Sequence, residues 1–431
     1  MSELPRRLGL PTTTLTVVAN MIGTGVFTTT GVLLDQLGSP RWVLGAWLGG
    51  GLIALFGAFA YGELGARSGK NGGEYRFLTD IIHPSLGFVT AWISLAVGFS
   101  APIAASAIAF GEYASAIVPG VSAIAAACAL VVGLSILHAV RVGAGAQLQN
   151  VFTAGKVLLI AGFVVGAVAV RGPEVLAPSA PIERDGGFGI GPFAVALILV
   201  SFAYSGWNGA AYLAGEVKNP GRSLPIALVV GTLVVLALYM GLNAVFLGAV
   251  PGSALSGEVE VGHVVAVAVF GDAAGRVLSG LISLALVSSV SAMIMVGPRV
   301  YEAVGEDFPR LSWLAARRGK TGPVASTALQ GALALVMVVT ATFETLLIYI
   351  GLTLSLSAAL AVACVFVDRR RNPDAPRPYR AFGHPITSGL FIAFMLLTVG
   401  WSVTEQPAAA LASGLTIALG FALYTTVRTP K

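Results

Sequence analysis

The chain has 431 residues, 56% of them hydrophobic and only 10% charged, with a formal net charge of +5 at pH 7 and a mean hydropathy of +0.86. Soluble globular chains carry about 25% charged residues, and a water-facing surface cannot hide an apolar excess of this size, so lipid is the solvent. Backbone amides in hydrocarbon are satisfied only inside helices or closed barrels, and apolar runs of about 20 residues rather than about 10 alternating ones select helices.

Twelve spans are predicted in chain order, over residues 11–34, 42–66, 85–118, 121–140, 147–170, 192–215, 224–250, 274–304, 324–342, 345–367, 386–404 and 408–427. The third and eighth exceed the length a bilayer needs and are expected to tilt or to start in the interface. The first is too long for a cleavable signal peptide and lacks a small-residue cleavage site. If Arg6 and Arg7 are cytoplasmic, 20 of the 25 Lys and Arg residues lie inside, including Arg67, Lys70, Arg76, Arg310, Arg317, Arg318, Lys320, Arg369, Arg370, Arg371, Arg377 and Arg380. Arg41, Arg171, Arg184 and Arg276 lie outside. This asymmetry places both termini in the cytoplasm. The positive charge thus reflects topology and implies no nucleic-acid partner. Cys128 and Cys364 sit in apolar runs, and the four histidines lack ligand spacing, so no disulfide framework, metal or cofactor is expected.

Two spans contain helix-breaking sequence. Gly23-Thr24-Gly25-Val26-Phe27 interrupts the first, and Phe202-Ala203-Tyr204-Ser205-Gly206-Trp207-Asn208-Gly209 interrupts the sixth. Each glycine weakens a helix interior by about 1 kcal/mol relative to alanine. Unwound backbone is tolerated at membrane depth only where it is buried or lines a cavity. There, free N–H groups at a half-helix start suit a carboxylate, and free carbonyls at a half-helix end suit an ammonium. A zwitterion needs both. The breaks are five spans apart, the spacing of two inverted five-helix repeats. The alternative is that a Gly-x-Gly is a packing notch between helices.

Lys156 lies about ten residues into the fifth span. A charge near the bilayer centre costs roughly 2.5–3.5 kcal/mol on insertion scales. The lysine is therefore expected to face the bundle and find a partner or lose its proton, the alternative being that it snorkels to an interface.

The motifs together resemble the amino acid–polyamine–organocation transporters, and within them the bacterial relatives of the L-type amino acid exchangers. The likeness rests on Gly23 to Phe27; on Tyr61-Gly62-Glu63-Leu64 with Gly72-Gly73-Glu74-Tyr75; on Phe202 to Asn208 continuing to Glu216-Val217-Lys218-Asn219-Pro220; and on Gly297-Pro298-Arg299. It runs from residue 11 to about 330 and weakens in the last two spans.

The resemblance implies an all-α membrane fold. Residues 1–170 and 192–367 would be inverted five-helix repeats, 386–427 two additional helices, and helices 1 and 6 would be unwound at mid-membrane. It implies that backbone amides at Gly23, Thr24 and Gly25 meet a substrate carboxylate, that carbonyls of Met21, Phe202 and Ser205 meet its amino group, that Phe202 closes over it from outside, and that Trp207 and Asn208 lie beside the pocket. It also implies that Lys156 occupies the place of a sodium ion between the first, fifth and eighth helices, near Ser288 and Ser289. The loop Ser68-Gly69-Lys70-Asn71 lacks the proline often found before the Gly pair. Pro119-Gly120 lacks the cysteine that carries a disulfide to an accessory glycoprotein in animal exchangers, so no such subunit is expected.

The expected function is a sodium-independent secondary transporter of neutral L-amino acids in the cell membrane, working by alternating access. Glu112, which lines the vestibule or reaches the interface, keeps a cationic amino acid or polyamine carrier as the alternative. Glu63 is expected to make a structural or gating hydrogen bond. Trp42, Trp47, Trp92 and Trp401 are expected to act as anchors or packing. An ion channel would need a repeated charge ring or carbonyl filter, and an intramembrane enzyme a nucleophile–base pair or metal ligands; neither pattern is visible.

Overall fold

A computed structural model describes residues 8–118, 120–140, 145–182, 189–316 and 323–428. Arg6, Arg7, Pro119, Arg184, Arg317, Arg318 and Lys320, which entered the orientation and accessory-subunit expectations, lie outside the described residues. No β-strand forms among those described. One isolated parallel bridge pairs Leu8 with Val217.

The helices are α1 (Leu10–Met21), α2 (Gly25–Leu37), α3 (Pro40–Ser68), α4 (Gly73–Ile81), α5 (Pro84–Ile93), α6 (Ala101–Ile117), α7 (Ala123–Val140), α8 (Gly145–Arg171), α9 (Ile190–Ala203), α10 (Pro220–Ala249), α11 (Val261–Phe270), α12 (Asp272–Asp307), α13 (Val324–Thr340), α14 (Phe343–Arg371), α15 (Ile386–Glu405) and α16 (Pro407–Val427). Among the described residues, nine helical segments are long and apolar enough to cross a membrane, and Ala123–Ala139, Ile190–Ala203, Val261–Phe270 and Val324–Thr340 are shorter apolar helices.

Local sequence explains the boundaries. Proline occupies the first turn of α1, α3, α5, α6, α10 and α16, where its missing N–H has no helical partner to lose. Helices α2 and α3 each end on a glycine in the left-handed conformation, Gly38 and Gly69, a stop that needs no Cβ. Between α5 and α6, Ser94–Ser100 forms a π-helical turn, so the third span is one long rod with a widened section.

Burial orders the helices from centre to rim. The α1–α2 segment is 83% buried over its most apolar window, whereas α16 is 17% buried. Helices α1 and α2, with α9, occupy the middle, packed by α3, α8 and α10. Helix α6 packs on α7, α12 and α14, and α15 and α16 cover the outside of α14. Exposed Leu, Val and Ile on α7, α8, α15 and α16 are the surface a lipid phase requires.

Candidate functional site at two opposed helix breaks

Helix α1 stops at Met21 and α2 starts at Gly25, with Ile22, Gly23 and Thr24 between them. The second expected break runs from Tyr204 to Asn208, after which the chain continues as a 3-10 helix over Gly209–Glu216. The breaks touch. A Cβ at Gly25 would fall 2.6 Å from the Cα of Ala203, and one at Gly206 would fall 2.5 Å from the carbonyl oxygen of Asn20. Gly206 also has φ of +94°. Only glycine satisfies both demands there.

The exposed backbone groups divide by type. Among the described residues, the N–H groups of Thr24 and Gly25, at the start of α2, form no hydrogen bond. They sit where a helix start offers unmet donors and positive dipole. The carbonyl of Met21 accepts from Gly23 N–H at 2.9 Å, and that of Phe202 from Ser205 N–H at 2.9 Å. From α10, the Tyr239 hydroxyl approaches both breaks, 2.7 Å from the Met21 oxygen and 3.2 Å from the Ala203 oxygen. Thr24 exchanges a 2.6 Å hydrogen bond with Ser106 on α6.

Lys156 is 4% exposed. Its Nζ donates to the Ile22 carbonyl at 3.1 Å and to Ser289 Oγ at 2.7 Å, while Ser289 donates onward to Ala285. The lysine thus ties the first break to α8 and α12 and does not snorkel. Ser288 is buried beside Ser289, but its Oγ has no partner among the described residues.

Other expected site residues are spread around this centre. Phe202 is buried at the end of α9. The Trp207 ring meets Tyr61 at 4.7 Å and Phe391 at 5.9 Å, so it faces α3 and α15. Asn208 donates to Glu74 on α4 at 2.9 Å. Glu112 is half-buried one residue before Tyr113, whose hydroxyl donates to the Phe27 carbonyl at 3.0 Å. Burial, with Glu258 and Glu112 nearby, raises the carboxyl of Glu260 above its ordinary range, so these three acids lie close together.

Sequence reading missed Tyr239, Ser106 and Glu74. The signal for Tyr239 was present: Tyr239 and Asn243 stand four residues apart within an otherwise apolar span, so they share one helix face. What the phenol reaches is a long-range fact.

Opposite this centre, α3, α14 and the segment after α14 meet in a knot of charge. Glu63 is 2% exposed and takes a bidentate pair from Arg369 at 2.9 and 2.7 Å, together with the Ala381 N–H at 2.6 Å. Arg377 lies 3.4 Å from Glu63 and 3.3 Å from Asp368, and Arg67 also pairs with Asp368. The single bond expected of Glu63 is one strand of this network.

Comparison with known proteins agrees with the architecture. The family model described as amino acid permease matches residues 8–427. The large neutral amino acids transporter small subunit 2 of Mus musculus is 30% identical over 416 residues, covering 93% of this chain and 77% of the relative. The serine/threonine exchanger SteT of Bacillus subtilis (strain 168) is 27% identical over 429 residues, covering 97% and 95%. The human b(0,+)-type amino acid transporter 1 is 25% identical over 415 residues, covering 92% and 83%. With its apolar helices and opposed breaks, the chain belongs to the amino acid permease family, as a multi-pass membrane transporter of amino acids related to the L-type transporters.

Proposed function

We propose that this transporter carries neutral L-amino acids across the cell membrane by alternating access around the two breaks, independently of sodium. The observation that carries the reading is the direct contact of the breaks, with the amides of Thr24 and Gly25 unmet among the described residues; the reading gives the opposing role to the carbonyls of Met21, Phe202 and Ser205. The amides suit the substrate carboxylate and the carbonyls its ammonium. Phe202 covers the pair from outside, and Trp207 and Asn208 form its flank. The names of the relatives, a large neutral amino acids transporter and a serine/threonine exchanger, support a neutral substrate. Glu112, Glu258 and Glu260 lie close together, and a cationic amino acid is the second reading they would favour.

Lys156, with Ser288 and Ser289, stands in this reading for a sodium ion. Two cations about 4 Å apart at intermediate dielectric repel by about 4 kcal/mol. Twelve spans, with residues 1–170 and 192–367 as inverted repeats and 386–427 added, place both termini in the cytoplasm. The distribution of Lys and Arg supports this orientation. No disulfide-linked accessory subunit is part of the proposal; Cys128 lies within α7 and Cys364 is buried in α14.

The test is counterflow into proteoliposomes preloaded with each of the twenty L-amino acids. Saturable exchange of neutral amino acids, equal in sodium and choline buffers, is expected. Preference for lysine or arginine, or uptake that climbs steeply with a sodium gradient, contradicts the reading.

A further inference from the structure

The first turn of α4 carries a carboxylic acid underneath the break of the sixth helix. Glu74 is 6% exposed, on a helix outside the spans. Its Oε1 accepts from the Tyr61 hydroxyl at 2.6 Å and from Asn208 Nδ2 at 2.9 Å. Asn208 precedes the 3-10 helix directly and its side chain also meets Tyr212. The carboxamide beside the proposed substrate site therefore hangs from an acid that belongs to a loop.

That acid has no ion pair among the described residues. The groups facing it are Tyr61 from α3, Tyr212 and Asn208 from the 3-10 helix, and Cys364 from α14. Neighbouring charges are engaged elsewhere: Arg76 and Lys70 with Asp80, Arg369 and Arg377 with Glu63, and Arg371 with the Ile81 carbonyl. Tyr75 bonds Asp307, and His83 on the α5 side bonds Ser85. A buried carboxyl with no cation facing it among the described residues is more stable neutral than charged, and the carbonyl oxygen of the neutral acid still offers two lone pairs, one for Tyr61 and one for Asn208. Burial agrees, holding this carboxyl above the usual range against the pull of its two hydrogen bonds.

Docking of α4 is continuous with the 3-10 helix. Gly72 N–H donates to the Tyr212 carbonyl at 3.0 Å, Gly215 N–H to Asn71 Oδ1 at 2.9 Å, and a Cβ at Gly73 would strike the Tyr212 ring. We propose that Glu74 is a proton-binding positioning residue. As a neutral acid it holds the Asn208 carboxamide at the break while α4 is docked. When α4 undocks towards the cytoplasm, its O–H bond breaks, the proton passes to water and a hydrated carboxylate remains. The docked state binds the extra proton, so docking is favoured at low pH and weakens as pH rises through the docked-state value. The inference rests on the transport reading and adds a proton to it.

The test is binding of radiolabelled L-serine and L-leucine to the purified protein across a pH series, for wild type, Glu74→Gln and Glu74→Ala. Wild-type Kd is expected to rise by about tenfold from acid to alkaline pH, the worth of about one hydrogen bond, with proton uptake on binding seen by an indicator dye. Glu74→Gln keeps a carbonyl for both donors and cannot ionise, so its Kd stays flat. Glu74→Ala binds weakly at every pH. A Glu74→Gln profile that tracks wild type, or no proton uptake by wild type, overturns the proposal alone. If wild type binds none of the twenty L-amino acids, the transport reading falls and this proposal with it. The dye measurement needs no variant, so poor folding of Glu74→Ala does not obscure the outcome.

Discussion

The Tyr239 hydroxyl donates to the Met21 carbonyl at 2.7 Å, which joins α10 to the carbonyl that the first break sets free. Because the same hydroxyl lies 3.2 Å from the Ala203 carbonyl, one side chain fastens both interruptions. In the proposed reading the hydroxyl also occupies an acceptor assigned to the incoming ammonium, so we propose that substrate binding and release of this phenol are linked.

Replacing Tyr239 by Phe keeps the ring, which packs against Trp47 and Tyr204, and removes the donor. The Met21 carbonyl then loses one donor and keeps the Gly23 N–H, at a cost of about 0.5–1.5 kcal/mol. A lower melting temperature and a KM for counterflow changed by about tenfold are expected. A variant equal to wild type in both would show that the bridge has no role in transport.

Gly206→Ala is expected to abolish transport. Its Cβ would meet the Asn20 carbonyl oxygen at 2.5 Å, from a residue with φ of +94°. Gly162, within α8, has nothing within 4 Å of a notional Cβ. Gly162→Ala should therefore transport normally and gain up to about 1 kcal/mol from helix propensity. Parallel uptake assays and thermal unfolding of the two variants check the contrast.

Lys156→Met removes the donor to Ile22 and Ser289 and leaves the first break untethered from α8 and α12. Uptake should fall by at least about tenfold, which corresponds to about 1.4 kcal/mol. Wild-type uptake should be indifferent to sodium. Full activity in Lys156→Met would remove the lysine from the mechanism.

The charge knot offers a stability test away from the breaks. Arg377 is 5% exposed and serves two buried carboxylates, whereas Arg371 donates to the Ile81 carbonyl from an exposed position. Breaking a buried pair on one side costs about 3–5 kcal/mol. Arg377→Ala should lower the melting temperature much further than Arg371→Ala, read by thermal unfolding in detergent.

The sequence disclosed those features that depend on local composition. Apolar runs locate the helices, because lipid leaves the backbone no other partner. Gly23, Gly25, Gly206 and Gly209 locate the breaks, because glycine is the residue that weakens a helix. Lys156 stands out because a charge in an apolar span demands a partner; the resemblance put Ser288 and Ser289 near it, whereas the Ile22 carbonyl as a second acceptor did not follow from the sequence. What pairs across distance was hidden. Nothing in residues 224–250 tells that Tyr239 meets Met21, and Glu74 reads as a polar loop residue until α4 is packed beneath Asn208. The π-helical turn at Ser94–Ser100 has no marker in its own sequence.

Recognition of both ends of a zwitterion by two opposed breaks is tested most directly by competition with half-ligands. Counterflow of L-leucine in proteoliposomes should be inhibited by unlabelled L-leucine. It should be unaffected by equal concentrations of the corresponding amine, which lacks the carboxylate, and of the 2-hydroxy acid, which lacks the ammonium. Inhibition by either half-ligand as strong as that by the amino acid would contradict the assignment of amides to one charge and carbonyls to the other.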